Sequence, residues 1–288
     1  MPIEAEQIRA YVEYFRDLGV YDFYRRGEPI SLPASELLVE APEPQNSDPG
    51  VAAVAEGLSR SVVIVNVPNS LAVEATIGKL IPFDDLAPYP EVRVAVRDRA
   101  TALLTIQAEI GDCTRCPLAY AGRRTIVFGD GDASARVMFV GEGPGADEDL
   151  SGVPFIGKAG QLLNNMITAM GLAREQVYIA NIVKCRPPKN RVPEPVEANT
   201  CSQFLLRQMD VIQPKVVVAL GSTAATYLLG MKQSLSALRG RWYSVRGAKL
   251  VVTYHPAFLL RDPRQKAEAW KDLQMVMGDL GLKSPSRS

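Results

Sequence analysis

Four cysteines carry the most distinctive chemistry in the chain: Cys113 and Cys116 in a Cys-x-x-Cys pair, then Cys185, then Cys201. The polar, acidic start of the sequence has no basic-then-apolar secretory pattern, so the cytoplasm is the expected location. In that reducing compartment such cysteines read as metal or cluster ligands rather than disulfides. Zinc sites usually present two tight pairs, whereas Cys185 and Cys201 stand singly with 15 residues between them. Iron-sulfur clusters accept such dispersed thiolates. Spacing leaves zinc, a cluster and plain buried thiols all open.

Four other places in the chain hold residues suited to a reaction. Residues 141–149 (GEGPGADED) combine glycines, which allow close backbone approach to a ligand, with the carboxylates Glu142, Asp147, Glu148 and Asp149. Those carboxylates repel phosphate, which argues against a P-loop or dinucleotide site and leaves a ligand loop or an acidic helix-capping turn. Phe155, just before a helix, could stack on a nucleic-acid base or simply fill the core. Residues 184–191 (KCRPPKNR) place Lys184, Arg186, Lys189 and Arg191 on a proline-extended run that could follow a phosphate backbone or lie in solvent as a basic loop. His255 is the only histidine, and a neutral imidazole can donate to an anion that develops during reaction.

The elements that must position these residues are regular from about residue 92. Residues 136–141, 177–183, 215–220 and 249–254 are short, Val/Ile-rich runs that suit strands of a parallel sheet buried on both faces. Helical patterns span 92–110, 161–170, 196–212 and 222–229, and the alternation gives an α/β layered fold. Ligands in such folds bind beyond the carboxyl ends of the strands. Three of the four strand ends are followed by the GEGPGADED, 181–191 and 255–261 segments, which places the site there. Before residue 92 the sequence predicts an amphipathic helix over 4–26, a linker with five prolines over 29–49 and a strand over 61–67. Three segments result: a helical extension (1–40), a Pro-rich and unassigned stretch (41–91) and a catalytic domain (92–288). Residues 1–96 hold 7 Lys and Arg against 15 Asp and Glu, a net charge of −8, and the remainder is +8. A basic body suits a phosphate-rich partner, and the acidic extension suits an arm that docks a protein or folds back on that body. No apolar run approaches the roughly 20 residues of a membrane-spanning helix.

Taken in order, CTRCPL (113–118), VFGDGDASARVMFVGEGPGADED (127–149), PFIGKAGQLL (154–163), NIVKCRPPKNR (181–191) with Cys201, and HPAFLLR (255–261) resemble the iron-sulfur uracil-DNA glycosylases, the fourth family of that superfamily. The resemblance covers about residues 97–280. It implies a three-layer α/β/α sandwich on a central four-stranded parallel sheet, and a 4Fe-4S cluster on Cys113, Cys116, Cys185 and Cys201. It also implies release of uracil from single- or double-stranded DNA in base excision repair, with the enzyme cytoplasmic and nucleoid-associated. In this reading His255 hydrogen-bonds uracil O2, Asn181 reads the base edge, Phe155 stacks on the ring and Glu142 places water or the sugar. Glu148 crowds uracil C5, Gly143 and Gly145 line the pocket, Leu259 wedges into the vacated stack and Arg261 holds a phosphate, with Lys184, Arg186, Lys189 and Arg191 along the DNA. The best-known uracil glycosylases carry an Asp where this chain has Gly143, so catalysis rests more on His255. A related group traps DNA through a histidine beside the basic loop; residues 189–193 have none, which implies turnover. The alternatives are a non-catalytic iron-sulfur DNA-binding or redox-sensing protein, and a zinc-stapled nucleotide-binding protein.

Overall fold

Valine-rich runs with no polar face have only one stable place, the middle of a layered domain, and that is where they lie. The structure, a computed structural model, describes residues 80–90 and 92–283. In chain order these form α1 (Phe83–Leu86), α2 (Arg99–Ile110), β1 (Asp130–Gly131), β2 (Val137–Gly141), α3 (Ala146–Ser151), α4 (Lys158–Ala169), β3 (Tyr178–Asn181), α5 (Pro195–Ile212), β4 (Val216–Leu220), α6 (Gly221–Leu229), α7 (Leu235–Leu238), β5 (Trp242–Val245), β6 (Ala248–Thr253), α8 (Pro256–Arg261) and α9 (Lys266–Leu280). The helix expected over 4–26, the linker over 29–49, the strand over 61–67 and the segment 1–40 lie outside the described residues.

The sheet order is β1-β3-β2-β4-β6-β5. Strands β3, β2, β4 and β6 are parallel, as the sequence predicts. β1 and β5 add an antiparallel strand at each edge, which the apolar pattern does not announce because β1 has two exposed residues and β5 is mostly solvent-facing. Successive side chains of a strand point to opposite faces, so the four runs supply two cores. Met138, Val140, Val217, Ala219, Leu250 and Val252 pack with α2, α5 and α6. Val137, Phe139, Ile179, Val216, Val218 and Val251 pack with α4 and α9. The result is a three-layer α/β/α sandwich. Register sets the strand ends level, with Gly141 beside Asn181 and Leu220 beside Thr253.

Two expectations are corrected. The helix expected over 92–110 begins at Arg99 after a 3-10 turn at Val96–Asp98. The domain boundary placed at residue 92 falls inside the folded body. Phe83 is 1% exposed in the core, and Arg246 reaches back with its guanidinium to Ala87 O (2.7 Å), Pro88 O (3.0 Å) and the Asp210 carboxylate (2.7 Å). Its backbone N–H donates to Asp84 Oδ1 (2.7 Å), and its guanidinium lies 4.2 Å from the Tyr89 ring centroid. The prolines at 82, 88 and 90 obscure this strap in the sequence because they remove the donors that a regular element would use.

Arg246 is buried and satisfies two carbonyls and a carboxylate at once. Truncation strands all three, and Arg246→Ala is expected to cost about 3–5 kcal/mol in chemical denaturation. An undiminished midpoint would show that the strap contributes nothing to the fold.

Candidate active site

All four parallel strands end on one cavity of about 840 Å³. β2 contributes Glu142–Glu148, β3 contributes Asn181, β4 leads into Gly221 and Ser222, and β6 leads into Tyr254 and His255. Phe155 and Gly157 close it from the loop between α3 and α4. The site is therefore where the strand-end rule places it, at the point where the chain moves from β3 on one side of β2 to β4 on the other.

Its floor depends on Gly141. A Cβ there would stand 2.4 Å from Asn181 Oδ1 and 2.6 Å from Phe155 Cζ, so only a hydrogen lets both side chains approach the strand end. Asn181 is 1% exposed, and its Oδ1 is buried without a hydrogen-bond partner. A buried acceptor left unpaired is costly unless something donates to it. Phe155 is buried, adopts a left-handed φ of 53°, and its ring centroid lies 5.6 Å from that of His255.

His255 is the N-cap of α8, and its Nδ1 accepts from the backbone N–H of Ala257 (3.1 Å). Burial, with the nearby Arg261 charge second, pushes its pKa down to about 4. The ring packs deep among its neighbours, yet part of it faces the cavity. An imidazole that is neutral and accepts at Nδ1 carries its proton on Nε2 and is a donor there. Glu142 lines the cavity, and burial raises its pKa while a hydrogen bond from Thr223 opposes the rise. Glu148 accepts from Gly145 N (3.0 Å), Ile156 N (3.1 Å) and Gly157 N (3.2 Å), tying the acidic loop to the Phe155 loop. Asp149, buried at 2% exposure, accepts from Arg124 N (2.9 Å) and Thr125 N (3.3 Å), so it is a structural anchor. Gly143 packs on Val183, which a Cβ would meet at 2.8 Å, and Gly145 packs on Glu148 Oε2.

The expected DNA-facing residues divide. Lys189 and Arg261 are exposed, and Arg186 is partly so, with its Nε donating to Asn190 Oδ1 (2.8 Å). Lys184 is 1% exposed and cannot touch DNA. Its ammonium donates to Asn181 O (3.1 Å) and Gln208 Oε1 (2.7 Å), and burial lowers its pKa to about 8. Leu259 is likewise buried, at 1%, and the exposed leucine of that turn is Leu260, at 44%. One residue of register along a helix rotates a side chain by about 100°, which the run Phe258-Leu-Leu-Arg261 cannot resolve by composition. Arg191 donates to both carboxylate oxygens of the buried Glu197 (2.8 and 2.6 Å), so its charge is partly spent inside the protein.

The sequence reasoning missed Gly221, Ser222 and Thr223. The fourth strand end also opens into a small-residue, hydroxyl-bearing turn, and applying the strand-end rule to all four ends would have found it. Gly221 has φ 90°, and a Cβ on it would come 3.0 Å from His255 Cβ.

On the opposite side of the basic loop, Cys113, Cys116, Cys185 and Cys201 line one recess with Ile110 and Phe204. None is in a disulfide. Burial raises the pKa of Cys116 and Cys185, and pushes that of Cys201 up to about 12. Thiolates in such a place need hydrogen-bond donors or cations beside them. Lys184 N donates to Cys201 Sγ (3.3 Å), Arg123 to Cys185 Sγ (3.3 Å) and Arg115 to Cys113 Sγ (3.5 Å). Convergence, burial and donors aimed at sulfur fit a thiolate-bound metal group. Among the described residues no group of three or more His, Cys, Asp or Glu side chains is arranged to hold a single metal ion.

The sequence model of the uracil DNA glycosylase superfamily matches residues 128–274. A type-4 uracil-DNA glycosylase of Thermotoga maritima is 45% identical over 161 residues, covering 54% of this chain and 82% of that protein. A type-4 uracil-DNA glycosylase of Archaeoglobus fulgidus is 40% identical over 189 residues, covering 63% and 94%. A type-5 uracil-DNA glycosylase of Pyrobaculum aerophilum is 31% identical over 178 residues, covering 51% and 78%.

The His255 geometry fixes a sign for stability against pH. Its pKa lies near 4 in the fold and near the ordinary 6.5 when unfolded, so between these values the unfolded chain binds the extra proton. The stability contribution is complete above pH 6.5 and is lost as pH falls toward 4. Denaturation at pH 7 and pH 5 should show the wild type losing up to about 2 kcal/mol more than His255→Gln over that interval. Equal losses would place an ordinary, solvated imidazole at this position.

Proposed function

The chain belongs to the uracil DNA glycosylase superfamily, and we propose that it is a DNA-repair enzyme hydrolysing the bond between uracil and deoxyribose to leave an abasic site. The observation that carries this reading is the unpaired, buried Oδ1 of Asn181 in a cavity that also holds a neutral imidazole donor. Uracil presents N3–H flanked by O2 and O4. An acceptor held opposite N3–H satisfies Asn181, and the amide nitrogen of the same side chain donates to O4. Cytosine has an unprotonated N3 there and would set two acceptors against one another.

A base inside a duplex is out of reach of such a cavity, so the nucleotide must leave the stack. Phe155 supplies the surface on which its ring lies. Breaking the C1′–N1 bond leaves the electron pair on the base, where it spreads to O2, and positive charge on the sugar. His255 Nε2–H donates to O2 as that charge grows, and a neutral donor does so without surrendering its proton. Glu142, held by Thr223, accepts from the water that adds to C1′, and the proton of that water balances the charge of the departing uracil. Glu148, immobilised by three backbone donors, forms a fixed wall suited to excluding a methyl group at C5. Lys189, Arg186 and Arg261 flank the mouth as phosphate partners, and Leu260 is the exposed side chain suited to fill the gap in the stack.

We further assign a 4Fe-4S cluster to Cys113, Cys116, Cys185 and Cys201. When bound, the group cross-links the segment after α2, the basic loop and α5; uracil release is a hydrolysis and transfers no electrons. The protein's own contribution there is burial and the N–H donors already directed at sulfur.

Purified protein should release uracil from single-stranded, U·G and U·A oligonucleotides, read as alkali-labile breaks. His255→Ala should slow single-turnover excision by about 10²- to 10³-fold. Because His255 titrates near 4, the wild-type rate should show no loss attributable to histidine protonation between pH 7 and 5.5. DNA binding without breaks would leave a non-catalytic DNA-binding protein. Separately, Cys201→Ser should lose visible absorption and iron together with thermal stability. Full iron content in that variant would remove Cys201 from the ligand set.

A further inference from the structure

Phe155 adopts a backbone conformation that L residues with large side chains avoid, at a cost of roughly 1–2 kcal/mol. Such a residue persists only where its surroundings over-determine it, and here the cause is visible on both sides of one peptide. The carbonyl of Phe155 accepts from Arg174 Nη1 (3.1 Å), and the carbonyl of Pro154 from Arg174 Nη2 (2.5 Å). The N–H of Ile156, the other end of the same peptide unit, donates to Glu148 Oε1 (3.1 Å). A guanidinium thus holds the oxygen and a carboxylate holds the N–H of a single peptide, each charge at the complementary end of its dipole. Gly160 leaves room for this arrangement, because a Cβ there would lie 1.9 Å from Phe155 O.

Arg174 does not line the cavity. It sits in the 3-10 turn Arg174–Gln176 before β3 and is itself braced by Asn164 Oδ1 (2.9 Å) and Asp130 Oδ2 (3.3 Å). We infer that Arg174 is a positioning residue for base recognition, holding the Phe155 backbone left-handed so that its ring faces the uracil pocket. The inference rests on the proposed stacking of uracil on Phe155. Lysine cannot replace it fully, since one ammonium lacks the planar fork that spans two successive carbonyls.

The test is a double-mutant cycle in the full-length enzyme, with Arg174→Met, Phe155→Ala and the pair, read as single-turnover excision. Arg174→Met is expected to slow excision about 10-fold and to raise the inhibition constant of free uracil similarly, and the pair should be no slower than Phe155→Ala alone. Affinity for DNA carrying a stable abasic analogue, which has no base to stack, should stay unchanged. Lys271→Ala, which removes only an exposed ion pair with Glu268 on α9, should leave all three readouts at wild-type values. If Arg174→Met does not fold, Arg174→Lys enters the same cycle, with a smaller slowing that again vanishes beside Phe155→Ala. Multiplicative slowing in the pair, or an equal loss of affinity for abasic DNA, would overturn the role. Failure of the wild type to excise uracil at all would instead sink the proposed function on which it rests.

Discussion

The site depends on one close approach, that of Asn181 and Phe155 to the end of β2 at Gly141. Neither side chain could occupy its place if that strand ended in any residue with a Cβ. The constraint is reached by register: parallel pairing sets Gly141 directly beside Asn181, so the strand that presents Asn181 also needs its neighbour to be bare. Everything else around the pocket then defends this crowding. Glu148 ties the loop after Gly141 to the loop that carries Phe155, and Gly221 lets the end of β4 come close to His255.

A second dependency runs through the interior. Lys184 is a buried cation whose ammonium has two acceptors, the backbone carbonyl of Asn181 and the side-chain Oε1 of Gln208, and Gln208 in turn donates to Phe128 O (3.0 Å) and Tyr178 Oη (3.1 Å). The backbone N–H of the same lysine donates to Cys201 Sγ. One residue therefore touches both the cysteine recess and the backbone of the cavity asparagine Asn181. An ammonium without water is expensive, and retaining it here costs stability unless each donor is used. The arrangement makes the geometry of Asn181 contingent on the same loop that carries Cys185.

Much of this was legible before any coordinates. Burial on both faces of a sheet leaves an unbroken apolar run, so the four parallel strands announce themselves in the Val/Ile content of 136–141, 177–183, 215–220 and 249–254. Three of the four strand ends also stand out because glycine, asparagine and histidine interrupt that content. What composition could not resolve was the direction of individual side chains. Lys184 reads as one more cation in a basic run, but it belongs to the residues just after β3, where the chain is still buried. Leu259 and Leu260 are identical in type and differ only by a rotation about α8. The strap at 80–90 was hidden because its fixed points are carbonyls gripped by Arg246, some 160 residues away, and backbone acceptors leave no mark in the sequence.

In the proposed mechanism, the charges at the pocket follow from what the reaction separates. Negative charge moves onto a base, so a cation at O2 would be the strongest partner, yet the residue present is an imidazole kept neutral by burial and by the Arg261 charge. A permanent cation there would bind the DNA phosphates as readily as the developing anion and would stabilise ground state and transition state alike, which accelerates nothing. A neutral donor fixed at Nδ1 by Ala257 is weak toward the resting base and strengthens only as charge arrives on O2. The cations stand instead at the rim, on Lys189, Arg186 and Arg261, where the charges they meet do not change during the reaction. In the proposed mechanism this separates binding at the edge by charge from catalysis at the centre by an oriented neutral donor, with Glu142 as the cavity carboxylate adjacent to Gly143.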